Sequence, residues 1–206
     1  MKSGIGVARR AAFRHQDRLL MRTQVMLDLE TLGNKPGSVI VAIGAVKFGE
    51  GRILDTFYER VDAKSCVEAG LKMDPDTIMW WLGQPDAARL EITKPGAPLV
   101  TVLTIFSVWL GEDVEIWGNG ATFDNVLLAD AYDITGIPRP WRFSRDRCYR
   151  TVSALRPDIP LIREGTHHNA LDDAKAQAEH AMRVLGAMGV AVGQDGWVVK
   201  GSGLGG

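Results

Sequence analysis

The sequence predicts an α/β fold, and three patterns along the chain indicate it. Three β-rich runs separated by glycine-rich turns, at residues 24–32, 39–48 and 53–61, are typical of an antiparallel meander. From Asp62 onward, apolar residues recur at helical spacing. A short apolar strand at 114–117 then runs through a glycine turn into another helix, which is where α/β folds usually place their sites.

Helix signals follow in chain order. Asp74 is a predicted N-cap for a helix with Ile78, Trp81 and Leu82 on one face, and we expect Trp81 to lie in the core. Trp80 falls on another face of that helix, where a subunit contact and a substrate contact both remain open. Further helices are predicted at 85–92, 98–110, from Asp124, and at 170–185 after an Asn169 N-cap, with a hairpin at 190–200. The predicted core face of the Asp124 helix is Phe123, Val126, Leu127 and Ala131.

Length and composition restrict the class of protein. The chain has 206 residues, of which 46% are hydrophobic and 24% charged, and this suits one globular domain with a sizeable core. No apolar run approaches the roughly 20 residues that cross a bilayer, so we expect no membrane partner. Cys66 and Cys148 are too few for a disulfide framework and lack metal-ligand spacing. We therefore expect a cytoplasmic protein.

Charge is unevenly distributed. Residues 1–22 hold six of the 24 basic residues and one of the 25 acidic residues, which leaves 18 basic and 24 acidic residues in the rest. Proteins that bind long duplexes through their phosphates are usually basic, whereas residues 23–206 are acidic. We therefore expect any nucleic-acid ligand to be bound at a short chain end, with metal ions supplying much of the positive charge. Residues 1–22 resemble both a nucleic-acid-binding arm and a transit peptide. We interpret them as a poorly ordered extension, because Met21 directly precedes the first strand and could be the natural start.

The first strand carries the strongest functional signal. Asp28 and Glu30 are two residues apart in an apolar run, so strand alternation places both carboxylates on one face. Buried carboxylates without a partner are destabilising, and a bound Mg²⁺ or Mn²⁺ is the usual compensation. An edge strand with one solvent-exposed face would also explain the pair. Carboxylates elsewhere in the sequence are therefore needed to choose between a metal site and an edge strand.

Three further residues are candidates for the same site. Asp124 follows the strand and glycine turn at 114–120, although a helix cap would explain it equally well. Asp173 lies in the first turns of the 170–185 helix, and His168 precedes that helix on a loop that can reach the same cleft. Asp172, by contrast, is explained by the helix dipole.

The segment 138–157 differs from the acidic body around it. It contains six arginines and three aromatic residues, which are Arg139, Arg142, Arg145, Arg147, Arg150 and Arg156 with Trp141, Phe143 and Tyr149. Such a mixture suits phosphate contacts and base stacking. A solvated surface helix over 146–155 is the alternative.

In this order, the motifs Asp28-x-Glu30-Thr31, Phe123-Asp124-Asn125 and His168-x-Ala170-x-x-Asp173 resemble those of the DEDDh, or DnaQ-like, 3'-5' exonucleases. The histidine five residues before the last aspartate marks the h branch. The stretches LDLETLG, VIVAIGAVKF, MDPDTIMWWL, IWGNGATFDN, RDRCYRT and HNALDDAKAQAEH are similar to the phage and bacterial subgroup of Rv2179c-like exoribonucleases. The resemblance covers residues 24–185.

The resemblance implies a ribonuclease H-like fold, in which a central mixed sheet of an antiparallel meander plus parallel strands is flanked by helices. It implies a 3'-5' exonuclease domain, to which we assign residues 23–189. The hairpin and flexible tail expected at 190–206 lie outside the resemblance. It also implies a homodimer in the cytoplasm of a bacterial or phage-infected cell. The expected partners are 3' ends of single-stranded RNA or DNA, with RNA better supported.

The resemblance also implies roles for individual residues. Two divalent cations, Mg²⁺ or Mn²⁺, would lie about 3.5 to 4 Å apart. Asp28 would bridge both, Glu30 and Asp173 would hold the water-activating ion, and Asp124 would hold the other. His168, with an ordinary pKa near 6.5, is suited to take the proton of the attacking water. The expected substrate contacts are Thr31 and Leu32 at the terminal nucleotide and Arg147 at an upstream phosphate.

Two alternatives remain open. One is a binding module that recognises nucleic-acid ends without turnover, although such a protein need not keep the histidine. The other is a proofreading subunit that acts on DNA beside a polymerase. The choice between RNA and DNA depends on contacts to the 2'-hydroxyl, which no motif here encodes.

Overall fold

A computed structural model describes residues 23–165, 168–193 and 196–199, with residues 191–193 and 196–199 described by their backbone alone. The predicted basic extension at 1–22 and the end of the predicted tail at 200–206 lie outside the described residues. Among the described residues, no helix has both the length and the apolar character needed to cross a bilayer.

A mixed sheet forms the centre of the fold. Its strands are β1 (Thr23–Thr31), β2 (Ile40–Gly49), β3 (Arg52–Arg60), β4 (Val114–Gly118) and β5 (Asp146–Cys148). They lie in the order β3-β2-β1-β4-β5, with the first three antiparallel and β1, β4 and β5 parallel. A separate antiparallel pair is formed by β6 (Val190–Gly193) and β7 (Gly196–Val199). The predicted meander and C-terminal strand pair are therefore confirmed.

Helices cover the sheet. They are α1 (Ala63–Ala69), α2 (Pro75–Leu82), α3 (Asp86–Thr93), α4 (Leu99–Leu110), α5 (Asp124–Thr135), α6 (Tyr149–Ala154) and α7 (Ala170–Ala187), with a 3₁₀ turn at Phe143–Arg145. Asp74 caps α2 by accepting bonds from the backbone nitrogens of Asp76 and Thr77, and Asn169 caps α7 in the same way. Both predicted caps are confirmed.

Strand β1 separates two hydrophobic cores. Val25, Leu27 and Leu29 face the core built with α4 and α5, whereas Met26 faces the core built with α7. Since alternate residues share a face, Asp28 and Glu30 point to the α7 side at the carboxyl end of β1. The strand pattern thus sends two carboxylates toward the start of α7.

Gly44 on β2 allows α7 to approach the sheet closely. It pairs with Asp28 across the antiparallel ladder. A Cβ at Gly44 would lie 2.2 Å from the backbone carbon of Ala170, the first residue of α7. No side chain fits in that space, so glycine here brings the N-terminus of α7 directly over Asp28.

The structure differs from what the sequence suggests in three local details. Leu82 is 57% exposed, because the two-turn helix α2 buries Trp81 and leaves the next side chain in solvent. Val126 remains 36% exposed, because α5 packs mainly through Leu127, Leu128, Ala131 and Tyr132. The surface helix over 146–155 begins only at Tyr149, since residues 146–148 pair with β4 as strand β5.

Candidate active site

A cavity of about 250 Å³ opens where the carboxyl ends of β1 and β4 meet α5 and α7. The five residues predicted to be catalytic all line it, namely Asp28, Glu30, Asp124, His168 and Asp173. The remaining lining residues are Leu29, Thr31, Trp80, Trp81, Asn119, Phe123, Arg150, Arg163 and Gln177. The structure therefore brings together residues that are up to 149 positions apart in the sequence.

Three carboxylates form the acidic centre of the cavity. Asp28, Glu30 and Asp173 each offer one oxygen, and these oxygens lie within 4.8 Å of one another. Glu30 and Asp173 are buried, and Oε1 of Glu30 has no hydrogen-bond partner among the described residues. Hard oxygen donors at this spacing, one of them buried without a partner, fit a divalent cation such as Mg²⁺ or Mn²⁺.

Asp124 lies beside this centre on the first turn of α5. Its Oδ2 accepts a bond of 2.8 Å from the backbone nitrogen of Asn119, and its Oδ1 accepts one of 3.3 Å from that of Leu29. The N-cap residue of α5 is Phe123, and Asp124 is the first residue of the helix. The carboxylate of Asp124 is therefore tied to the glycine turn and to β1, and these contacts go beyond those of a helix cap.

Burial and crowding raise the pKa values of these carboxyl groups. Burial raises the pKa of Asp28 well above its usual value, and the charges of Asp124 and Glu30 add to the effect. Burial, with the charges of Asp173 and Asp124, raises the pKa of Glu30 to about 8. Burial raises the pKa of Asp124 to about 7, although backbone hydrogen bonds from Asn119, Leu29 and Asp124 itself lower it. A cation would relieve this repulsion and favour the ionised forms.

His168 is held at the rim of the cavity by its backbone and its ring. The backbone φ of His168 is 64°, in the left-handed region. Its backbone nitrogen donates a hydrogen bond of 3.0 Å to Oδ2 of Asp173. The imidazole meets Trp80 and Trp81 edge-on, with ring centroids 5.1 and 5.7 Å apart. Trp81 is fixed in turn, because its Nε1 donates a bond of 2.8 Å to the carbonyl of Thr31.

The predicted substrate contacts are distributed differently. Thr31 lines the cavity, and its hydroxyl donates to the carbonyl of Gly33. Leu32 and Arg147 are outside the described lining: Leu32 packs against the hydrophobic core, and Arg147 donates a bond of 2.7 Å to Glu115. The roles of all three residues in substrate binding stay predictions.

Two other arginines face the cavity. Arg150, from the predicted basic segment, donates a bond of 2.9 Å to the carbonyl of Asn119, beside Asp124. Arg163 lies 3.4 Å from Asp173, measured from its Nε to Oδ1 of the carboxylate. The guanidinium group of Arg150 therefore lies near Asp124, and that of Arg163 lies near Asp173.

Sequence reasoning missed Arg163 and Gln177. Arg163 lies in an irregular segment without periodicity, so no local pattern indicates where it points. Gln177 could have been found, because it follows Asp173 by four residues on a helix and must share its face. The contact of Trp80 with His168 depends on the packing of α2 against the loop before α7, and no spacing along the chain encodes it.

The family comparison agrees with the site. The model described as the 3'-5' exoribonuclease Rv2179c-like domain matches residues 23–185. No curated protein matches the chain.

Several solved exonucleases share the fold. Escherichia coli exonuclease I, in complex with a dT13 oligonucleotide, is 14% identical with a TM-score of 0.55; the match covers 80% of this chain and 40% of that one. The nuclease domain of 3'hExo, a DEDDh family member bound to rAMP, is 16% identical with a TM-score of 0.56 and coverages of 81% and 93%. Exonuclease X with 5' overhanging duplex DNA is 16% identical, with a TM-score of 0.54 and coverages of 84% and 97%. The predicted ribonuclease H-like fold is confirmed, and the chain spans about 40% of the length of exonuclease I.

Proposed function

The chain belongs to the family of Rv2179c-like 3'-5' exoribonuclease domains, and on that premise we propose that it hydrolyses phosphodiester bonds from the 3' end of single-stranded nucleic acid, with RNA favoured. The observation that carries the proposal is the meeting of Asp28, Glu30 and Asp173 at one acidic centre, beside Asp124 and within reach of a histidine loop. We assign this activity to residues 23–189.

Two divalent cations, Mg²⁺ or Mn²⁺, are proposed as cofactors. Asp28 shares the acidic centre with Glu30 and Asp173, and Asp124 lines the same cavity, so Asp28 is the carboxylate proposed to serve both cations. Glu30 and Asp173 would hold one cation with Asp28, and Asp124 would hold the other with Asp28. When bound, the cations supply positive charge for the transition state and lower the pKa of water.

His168 is the proposed general base. A ring nitrogen of His168 accepts the proton of the attacking water, and the edge-on contacts with Trp80 and Trp81 limit the orientations of the ring. The hydrogen bond from the His168 backbone to Asp173 ties the position of the base to that of a proposed metal ligand. Correct alignment of the base thus depends on Asp173 as well as on the imidazole.

The cavity also offers contacts for a nucleotide chain. Trp80 is 47% exposed and can stack on a terminal base, while Thr31 lies beside it in the lining. Arg150 and Arg163 provide guanidinium groups for phosphates at opposite sides of the acidic centre. We retain the predicted contacts of Leu32 and Arg147 as part of the proposal, together with the predicted homodimer, which light scattering after size-exclusion chromatography tests.

DNA remains the second candidate substrate. The fold relatives include exonuclease I with a DNA oligonucleotide and exonuclease X with duplex DNA, whereas 3'hExo is bound to rAMP. The fold therefore accommodates both sugars. A direct comparison of RNA with DNA is needed to choose between an exoribonuclease and a proofreading-type enzyme.

The test uses matched 5'-labelled single-stranded RNA and DNA of one sequence, with Mg²⁺ or Mn²⁺. We expect a ladder that shortens from the 3' end, needs metal, and is lost in Asp28→Ala and Asp173→Asn. His168→Ala should lose rate while it still binds metal. Asp172→Asn is the matched control, because Asp172 neighbours Asp173 on α7 but lines a different cavity. If the folded wild type binds 3' ends and cleaves neither strand in either metal, the protein is a binding module instead.

A further inference from the structure

Gln177 joins α7 to the acidic centre. It lies one helical turn after Asp173 and is 2% exposed. Its Nε2 donates a hydrogen bond of 2.8 Å to Oδ1 of Asp28, across 149 positions of sequence. Because an amide nitrogen donates along a fixed direction, this bond restricts the rotation of the Asp28 carboxylate.

The other half of the same amide has no partner. Oε1 of Gln177 is buried, and within the part of the chain that the structure describes it accepts no hydrogen bond. Most buried polar atoms in folded proteins are hydrogen-bonded, because a buried orphan acceptor costs stability. Gln177 lines the cavity, so the missing donor can arrive with a ligand.

We propose that Gln177 is a positioning residue of the active site, which orients Asp28 through its amide nitrogen and accepts a hydrogen bond through Oε1 from a water that enters with the divalent cation. This inference rests on the proposed function. The donor half sets the direction in which Asp28 presents its second oxygen. The acceptor half sets the orientation of a water in the same cavity.

Asp28 has particular need of such a partner. It lies among Glu30, Asp124 and Asp173, all of which bear negative charge when ionised. Without a donor, repulsion favours rotation of the Asp28 carboxylate away from its neighbours, which removes it as a metal ligand. Outer partners of this kind typically change metal affinity or activity by about 10- to 100-fold when mutated.

A purely structural role is the competing explanation, and Gln24 provides the matched control. Gln24 is also a buried glutamine, 1% exposed, and it lies four residues before Asp28 on the same face of β1. Its Oε1 accepts a bond of 2.8 Å from Nε1 of Trp117, away from the cavity lining. Loss of this amide should therefore lower stability and leave metal binding unchanged.

The experiment compares Gln177→Met and Gln24→Met with the wild type. Calorimetry with Mn²⁺ alone measures metal affinity, and single-stranded oligonucleotide cleavage measures kcat and KM. For Gln177→Met we expect Mn²⁺ affinity to fall about tenfold and kcat to fall about 10- to 100-fold, with KM within about twofold of wild type. Gln24→Met should lower the melting temperature and retain wild-type Mn²⁺ affinity and kcat. If Gln177→Met retains both, the inference is overturned and Gln177 only anchors the helix.

Gln177→Glu separates the two halves of the amide and serves if Gln177→Met does not fold. With Mn²⁺ bound, which favours ionised carboxyl groups in this cavity, the change keeps an acceptor and removes the donor to Asp28. We expect it to bind Mn²⁺ at least as tightly as wild type, because it adds a carboxylate, but to lose kcat about as much as Gln177→Met. Wild-type kcat in this variant would overturn the orienting role. If the wild type cleaves no oligonucleotide, the proposed nuclease function fails, while the Mn²⁺ titrations still decide the role of Gln177.

Discussion

The backbone nitrogen of His168 donates a hydrogen bond of 3.0 Å to Oδ2 of Asp173, the carboxylate five residues later. This bond holds His168 at a φ of 64°, a backbone conformation that costs about 1 to 2 kcal/mol for a residue with a Cβ. The proposed general base and a proposed metal ligand therefore form one structural unit at the start of α7.

A comparison of His168→Gly with His168→Ala tests this backbone strain. Both changes remove the imidazole and its contacts with the tryptophans, so both should lose the hydrolytic rate. Glycine adopts positive φ freely, and we expect His168→Gly to be about 0.5 to 1 kcal/mol more stable than His168→Ala after the greater entropy of an unfolded glycine is subtracted. Urea unfolding measures the difference. An alanine variant that is the more stable of the two would show that the left-handed conformation carries no strain.

The raised pKa values predict how stability depends on pH when metal is removed. The carboxyl group of Glu30 titrates near 4.5 in the unfolded chain and at about 8 in the folded protein. Between pH 4.5 and 8, Glu30 is protonated in the native state and ionised in the unfolded chain. The contribution of this group to the free energy of unfolding is therefore greatest below about pH 4.5, and it is lost as the pH rises through about 8. In EDTA, the melting temperature of the wild type should rise relative to Glu30→Gln as pH falls from 8.5 to 5.5.

Addition of Mg²⁺ or Mn²⁺ at pH 8.5 should reverse part of that loss, because a cation favours the ionised carboxylates. Differential scanning calorimetry at each pH provides the measurement. A wild-type protein whose melting temperature runs parallel to that of Glu30→Gln across the range would contradict the raised pKa.

Arg150 and Arg163 should affect substrate binding. Replacement of either by methionine removes a guanidinium from the cavity lining, and we expect KM for a single-stranded oligonucleotide to rise roughly tenfold or more, with a weaker dependence of KM on salt. Steady-state cleavage at two salt concentrations measures both effects. An unchanged KM in both variants would remove these arginines from the proposed binding site.

Arg147→Met is the comparison for these variants. Arg147 pairs with Glu115, whose side chain is only 7% exposed. Removal of the Arg147 guanidinium deprives this buried carboxylate of that partner and should lower the free energy of unfolding by about 1 to 3 kcal/mol. Because Arg147 is also a proposed contact of an upstream phosphate, KM for a single-stranded oligonucleotide should rise as well, roughly tenfold. An unchanged KM for Arg147→Met would remove this arginine from the proposed binding site.

Trp80 should contribute by stacking. Its ring is half exposed at the cavity, and loss of base stacking typically costs about 1 to 3 kcal/mol. Trp80→Ala should therefore raise KM about 5- to 100-fold, whereas Trp80→Phe should retain most of the affinity. Leu82→Ala, also exposed on α2 but outside the cavity, is the control. Equal KM values for Trp80→Ala and wild type would exclude the stacking contact.

Much of the fold was predictable because its signals are local. Strand alternation alone sends Asp28 and Glu30 to one face, and the capping side chains of Asp74 and Asn169 mark two helix starts within a few residues. Strand β5 was not predictable in this way. Its three residues form a strand only because β4 lies beside them, and the segment has no alternating pattern of its own.

The sequence by itself determined the order of the elements, the shared face of the two β1 carboxylates and the family resemblance carried by the three motifs. Only the tertiary structure decided that Gln177 meets Asp28, that Trp80 flanks His168, and that Arg163 and Arg150 face the cavity. The physical reason is the range of the interactions. Periodicity and capping depend on neighbours along the chain, whereas these contacts exist because Gly44 admits α7 against the sheet and long-range packing then fixes which side chains meet.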